Sequence, residues 1–320
     1  MKTIRFFALA ALLAAAPAAA ASRDALSLVP ADATSVGFVR IADLRSNPFQ
    51  LRVFEETDRL GADGDAARFL EDAGLSLRDD VDAVVACTTS SDGRRGRSLV
   101  FFQGRFDTRK LAAALRKRGA VRESAGGREY FRLKEDASDE HGPGAVALVD
   151  ARLVVAGSQA AVLGALSDLA RGGTRFSSGE GLGRELRRVD PAATAWVLVD
   201  VEKWRRAGAA PREDGPAAGV VSALKSVSLF TMQATVEGDA LAVKATGLSA
   251  DEETRELLED ALRGLTAAWR MAAQEKSPEL VSAIRKFRVS RDDEGVTISG
   301  TLPGELIRSL SAEAKRRSGN

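Results

Sequence analysis

The chain predicts an α+β fold: two tandem pseudo-repeats of antiparallel sheet packed with amphipathic helices, after a cleaved signal peptide. Three observations carry that prediction. The phrase "PADATSVGFVRIADLR" (30–45) is answered by "PAATAWVLVDVEKWR" (191–205). The text after each phrase follows the same order: strand, loop and helix, hairpin, helix, hairpin, helix. Finally, the strand-like runs are joined by short turns, which make antiparallel hairpins and not the long crossovers a parallel sheet needs.

The leader comes first. Lys2 and Arg5 form a short positive region, "FFALAALLAAA" (6–16) an apolar one, and "PAAAAS" (17–22) supplies small residues at which a signal peptidase would cut near Ser22. The apolar stretch falls short of the roughly 20 residues a bilayer crossing needs. The mature chain is therefore expected to be exported, periplasmic or extracellular, with no transmembrane segment.

In the repeated phrases Pro30 aligns with Pro191, Ala33 and Thr34 with Ala193 and Thr194, Phe38 with Leu198, and Arg45 with Arg205. Each phrase holds a β-rich apolar run (36–41 and 195–201) followed by a charged turn. The first half, residues 23–173, continues with helical text at about 48–73. Next comes a hairpin from "DAVVACTT" (82–89) and "RSLVFFQG" (97–104). A helix over "DTRKLAAALRKRG" (107–119) is capped by Asp107 and closed by Gly119. "EYFRLK" (129–134), "AVALVD" (145–150) and "RLVVAG" (152–157) are strands, and "SQAAVLGALSDLARGG" (158–173) is a helix capped by Ser158. Residues 174–190 form a packed connecting helix with Leu182, Leu186 and Val189 inward.

The second half, residues 191–320, repeats the scheme. "VSLFTMQATVEGDALAVKATG" (227–247) alternates, with Phe230, Met232, Ala234 and Val236 on one face, then Leu241, Val243 and Ala245, around a two-residue turn at Gly238-Asp239. Ser249 and Glu252 match a capping box. Leu258, Leu262, Leu265 and Trp269 then recur on one helix face. "KFRVSRDDEGVTISG" (286–300) reads as a hairpin and "LPGELIRSLSAEAKRR" as a closing helix. The pattern predicts sheets covered by helices on one face. It allows the two sheets either to stay apart or to merge edge to edge.

Composition narrows function. Without Lys2 and Arg5 the formal charge of +1 becomes −1, so no basic field for nucleic acid remains. Aromatic residues are 5% of the chain, which is sparse for base or sugar stacking. The one cysteine, Cys87, lies in a β-like apolar run and reads as a small buried hydrophobe. "GEGLG" (179–183) lacks the preceding strand and the third glycine of a phosphate loop, and reads as a helix-starting turn. The one histidine, His141, sits in the acidic run "KEDASDEHGPGA" (134–145), whose carboxylates lack the spacing of a calcium loop. No metal, cofactor or catalytic residue is predicted.

The halves diverge most at "TTSSDGRRGRS" (88–98), at the His141 loop and at "RRAGAAPREDGPAAG" (205–219). The first carries Arg94, Arg95 and Arg97, candidate contacts to an acidic partner or headgroup. The leader, "LVPADA", the repeated phrase and "FRVSRDDEGVTISGTLPGELI" together resemble a group of bacterial exported proteins with a duplicated α+β domain of unknown function. That resemblance implies an envelope location and brings no residue roles. The function expected is a non-enzymatic envelope protein that binds or scaffolds another extracytoplasmic component through a sheet face or divergent loop. One alternative is a carrier of an apolar ligand lined by Phe230, Met232 and Trp269, residues otherwise expected in a dry core. Another is a hydrolase without a recognisable motif.

Overall fold

The computed structural model describes residues 25–45, 65–91, 94–134, 143–172, 176, 179–206, 226–274 and 278–307. The leader (1–22), the His141 loop, most of 205–219 and the closing helix beyond Ile307 lie outside them.

The repeated phrase supplies β1 (Ala33–Val39), whose valine and phenylalanine content suits a pleated, buried surface. The short helix α1 (Ile41–Leu44) follows, then α2 (Asp65–Ala73) and α3 (Leu77–Asp80), whose Ser76 cap accepts from the Asp79 amide. The first hairpin is β2 (Val81–Ser91) with β3 (Arg94–Gly104). Helix α4 (Thr108–Lys117) starts where the Asp107 carboxylate accepts from the Arg109 and Lys110 amides, as expected. It ends at Gly119, whose φ of +80° suits glycine. The hairpin β4 (Val121–Ala125) and β5 (Arg128–Arg132) follows, then β6 (Gly144–Leu148), β7 (Leu153–Ser158) and α5 (Gln159–Ala170). Ser158 stands at the start of α5, but its hydroxyl caps nothing and is buried without a partner.

The connection is a 3-10 helix, Gly181–Arg188, and not an α-helix. Beyond it lie β8 (Ala195–Asp200), α6 (Val201–Arg206), β9 (Leu229–Glu237) and β10 (Ala240–Leu248). The long helix α7 (Glu252–Gln274) is capped by Asp251, which accepts from the Thr254 amide at 2.8 Å. The expected capping box at Ser249 is therefore displaced. The Ser249 hydroxyl accepts from the Asp251 amide instead, one turn outside the helix. Helix α8 (Pro278–Arg285), which sequence periodicity did not single out, leads to β11 (Arg288–Arg291) and β12 (Gly295–Pro303).

Among the described residues these strands make one twelve-stranded antiparallel sheet, ordered β11-β12-β10-β9-β8-β1-β2-β3-β7-β6-β5-β4. The halves merge edge to edge. At the seam Gly37 of β1 pairs with Val197 of β8, and the same rung runs outward through matching strands on both sides. One side passes Ala86, Val100, Ala156 and Val146, the other Met232, Ala245, Ile298 and Val289. The duplicated order is thus realised as a two-fold-like sheet, with the β4–β5 hairpin unmatched in the second half.

Helix cover is richer than expected in the first half, where both faces are covered. On one face Val85, Phe101, Val155 and Ala147 meet Val162, Ala165 and Leu166 of α5. On the other, Val84, Phe102 and Val154 meet Phe69 of α2 and Leu111 and Ala114 of α4. In the second half the described α-helices cover that other face, where Phe230, Val289 and Val296 pack against Leu258 and Leu262 of α7, while the 3-10 helix lies near the seam on the α5 face. This apolar row fades along its length. Met232 is 41% exposed and Trp269 49%, so neither joins the dry core expected of them.

Candidate functional site

The two halves of the sheet can be compared residue by residue on the face that α5 covers. From the seam outward the first half reads Phe38, Val85, Phe101, Val155 and Ala147 along one row. The matching row of the second half reads Leu198, Thr231, Thr246, Thr297 and Ser290. Val85, Phe101 and Val155 are wholly buried beneath α5. Their counterparts are hydroxyls. In the adjacent row Leu99, 2% exposed, is matched by Lys244. Threonine has nearly the shape of valine, so the backbone repeats while the chemistry inverts. An apolar helix laid on this row would strand the hydroxyls at a cost of about 1–3 kcal/mol each.

The polar row is the floor of a groove of about 400 Å³. The 3-10 helix lies against β1 and β8, with Leu182 anchored in the core of the first half. Its last turn brings Arg187 and Arg188 to the groove as one wall. The β11–β12 turn supplies the opposite wall through Asp292 and Glu294. Arg188 ties the walls together, donating to Glu185 and to Glu294 at 2.6 Å each. The Glu294 carboxylate foremost, then Glu185, holds the Arg188 guanidinium above its ordinary value against the opposing effect of burial. Asp292 serves the turn itself, its carboxylate accepting from the Glu294 and Gly295 amides at 2.9 and 2.8 Å. Below the 3-10 helix, Gln233 accepts from the Asp190 amide at 2.9 Å and fixes the end of the connection to the sheet.

Two features separate this groove from an ordinary solvated sheet face. Thr231 is 5% exposed and lines the groove, while the buried side-chain atoms that lack a partner among the described residues lie elsewhere, at Ser158 and Arg255. Arg187 and Lys244 both line it too, and neither side chain has an ion pair or hydrogen bond with any described residue. Thr246 and Thr297 share a hydroxyl–hydroxyl bond of 2.9 Å, leaving a donor or acceptor for an occupant.

The residues singled out by sequence lie elsewhere. The run 88–98, expected as a long loop, is mostly strand, because β2 continues to Ser91 and β3 begins at Arg94. Thr88 and Thr89 favour extended backbone, and Ser91 pairs with Arg94. Arg94, Arg95 and Arg97 are therefore residues of β3, not of a loop. Arg97 is exposed and lines a recess of about 280 Å³ with Asp32, Thr89 and the small residues of α5, on the first half and not in the polar groove. Cys87 is buried, and burial, with a smaller contribution from Asp32, pushes its thiol up to about 12. The "GEGLG" turn opens the 3-10 helix. Among the described residues no group of three or more His, Cys, Asp or Glu is placed to hold a metal ion. No helix among them is long and apolar enough to cross a membrane.

No family model matches the chain, and no curated protein matches it. Solved structures do. The fold is similar to that of TP0453. Its crystal form III aligns with a TM-score of 0.52 at 10% identity, over 90% of this chain and 97% of that one. Crystal form I aligns at 0.48 and 10% identity, over 92% and 98%. At such identity the likeness to TP0453 speaks of the α+β fold alone.

Proposed function

We propose that this protein is an exported, non-enzymatic binding protein of the cell envelope, which holds another extracytoplasmic component in the polar groove of its second half. The observation that carries the reading is the replacement of the buried row Val85, Phe101, Val155 by Thr231, Thr246, Thr297 at matching places in one sheet. One half of a duplicated fold uses the face as core. Among the described residues the other half lays no α-helix on the same face, which is walled and lined with hydrogen-bonding groups, and that suits a binding face. The groove offers hydroxyls and cations, and its carboxylates are engaged by Arg188 and by backbone amides. That chemistry holds an occupant more readily than it turns one over. The export half of the reading rests on the charged, apolar and small-residue order of residues 1–22.

The test is photo-crosslinking in the native host, with a photoreactive residue at Lys244 in the groove or at Leu257, which is 64% exposed on α7. A discrete adduct from position 244 and none from 257 supports the reading. Equal labelling from both positions, or an adduct from 257 alone, overturns it.

A further inference from the structure

The charges of the groove say which chemical group it accepts. Its carboxylates are spoken for: Glu294 by Arg188, and Asp292 by two backbone amides. Arg188 is in turn neutralised by Glu294 and Glu185. Arg187 and Lys244 line the same recess above a row of hydroxyls, and neither has an ion pair with any described residue. A cationic occupant would meet like charge. A neutral polyol would satisfy the hydroxyls and leave both cations unanswered. Only a group with negative charge spread over several acceptor oxygens uses cations and hydroxyls together, through charge-assisted hydrogen bonds about twice as strong as neutral ones.

We infer that the groove binds an oxyanion, a carboxylate or phosphate group, held between Arg187 and Lys244 and hydrogen-bonded by Thr231 and the Thr246–Thr297 pair. This rests on the reading of the groove as the binding face, and it names the chemistry of the occupant. The neutral counterparts in the first half, Val85, Leu99 and Phe101, give that half no such site.

The mature chain is titrated by calorimetry with citrate and with inorganic phosphate, and with glucose as the neutral comparison. Saturable binding of either anion, none of glucose, and weakening as ionic strength rises are expected. Arg187→Ala and Lys244→Met each weaken binding about tenfold, with the circular dichroism unchanged because neither side chain has an ion pair or hydrogen bond with any described residue. Vesicles of phosphatidylcholine with and without phosphatidylglycerol separate the sources. Sedimentation with the anionic vesicles alone, abolished in both variants, assigns the oxyanion to a headgroup, whereas binding of the free anions alone assigns it to a soluble ligand. If neither anion nor vesicle binds, or if both variants bind as well as the parent, the inference fails. The two readings fail separately: a position-244 adduct that survives Arg187→Glu leaves the groove as the binding face and removes the oxyanion. Loss of the adduct in the parent removes both.

Discussion

Phe38 and Trp196 stack across the seam of the sheet, their ring centroids 5.5 Å apart and their planes within 19° of parallel. They are cross-strand partners between β1 and β8, one from each half. Arg40 lies over the Phe38 ring, its guanidinium carbon 5.6 Å from the centroid, and donates to the Pro191 carbonyl at 2.8 Å. The halves are thus joined by backbone ladder, aromatic stacking and a bridging cation.

Trp196→Ala should therefore weaken the join and not one half alone. Trp196 is 6% exposed, and removal of a buried aromatic costs about 3–5 kcal/mol. In urea, far-ultraviolet circular dichroism should show one transition in the parent, since a shared sheet couples the halves, and a lower midpoint in the variant. A second, separate transition in the parent would show that the seam does not couple them.

Much of this architecture is legible before any coordinates. The alignment of Phe38 with Leu198 is the register relation the sheet displays, since both sit one step from the Gly37–Val197 pair. The Gly238 turn and the Asp107 cap fall where turn and cap chemistry place them. Other features are hidden for physical reasons. Strand β4, "VRESA", is exposed or half-buried throughout, so it carries no alternation to detect. Merger of the sheets depends on edge-to-edge pairing of β1 with β8, which a single-strand pattern does not encode. The groove is hidden most deeply. Alternation places Thr231 and Thr246 opposite the apolar row, but period two does not distinguish a solvated face from a walled one. The wall comes from Arg188 reaching Glu294, 106 residues away.

The inverted rows give a paired test. Thr246→Val with Thr297→Val removes both partners of one hydroxyl–hydroxyl bond while keeping shape, so stability should stay within about 1 kcal/mol of the parent. Phe101→Thr, at the place that matches Thr246, opens a cavity beneath α5 and buries a hydroxyl, at a cost of about 3–5 kcal/mol. Thermal denaturation of both variants checks the contrast. Equal losses would mean that the groove row is packed as core.

Cys87 offers a chemical probe of the first half. With its thiol pushed up to about 12 by burial, first, and by Asp32, second, it is protonated in the fold at neutral pH. Ellman's reagent at pH 8 should leave it untouched in the native protein and titrate one thiol in denaturant. The sign for stability follows. The raised value means the unfolded chain loses the proton first, so this contribution is complete below the ordinary thiol value of 9.0. It is lost as pH rises toward about 12. Cys87→Ala should flatten that alkaline decline, read from midpoints at pH 8 and 10.

The unmatched hairpin should carry its own pH dependence. Tyr130 is 4% exposed, donates its hydroxyl to the Glu123 carboxylate, and accepts from the Gln159 amide of α5 at 3.0 Å. Arg132 donates to Glu123 at 2.7 Å. The Tyr130 hydroxyl, first, and Arg132, second, hold Glu123 below the usual carboxylate range, while Glu123 raises Tyr130 against the opposing bond from Gln159. A lowered carboxylate stabilises the fold above its unfolded value of about 4.3, and that contribution is lost as pH falls through the lower folded value. A raised phenol contributes below about 10 and is lost as pH rises beyond it. Docking of β4–β5 against α5 is thus strongest between these limits. Amide exchange of β4 and β5 should quicken at acid pH in the parent. In Tyr130→Phe it should already be quicker at neutral pH and depend less on acid, because Arg132 alone then holds Glu123 down. An unchanged acid dependence in the variant would show that the phenol does not set the carboxylate.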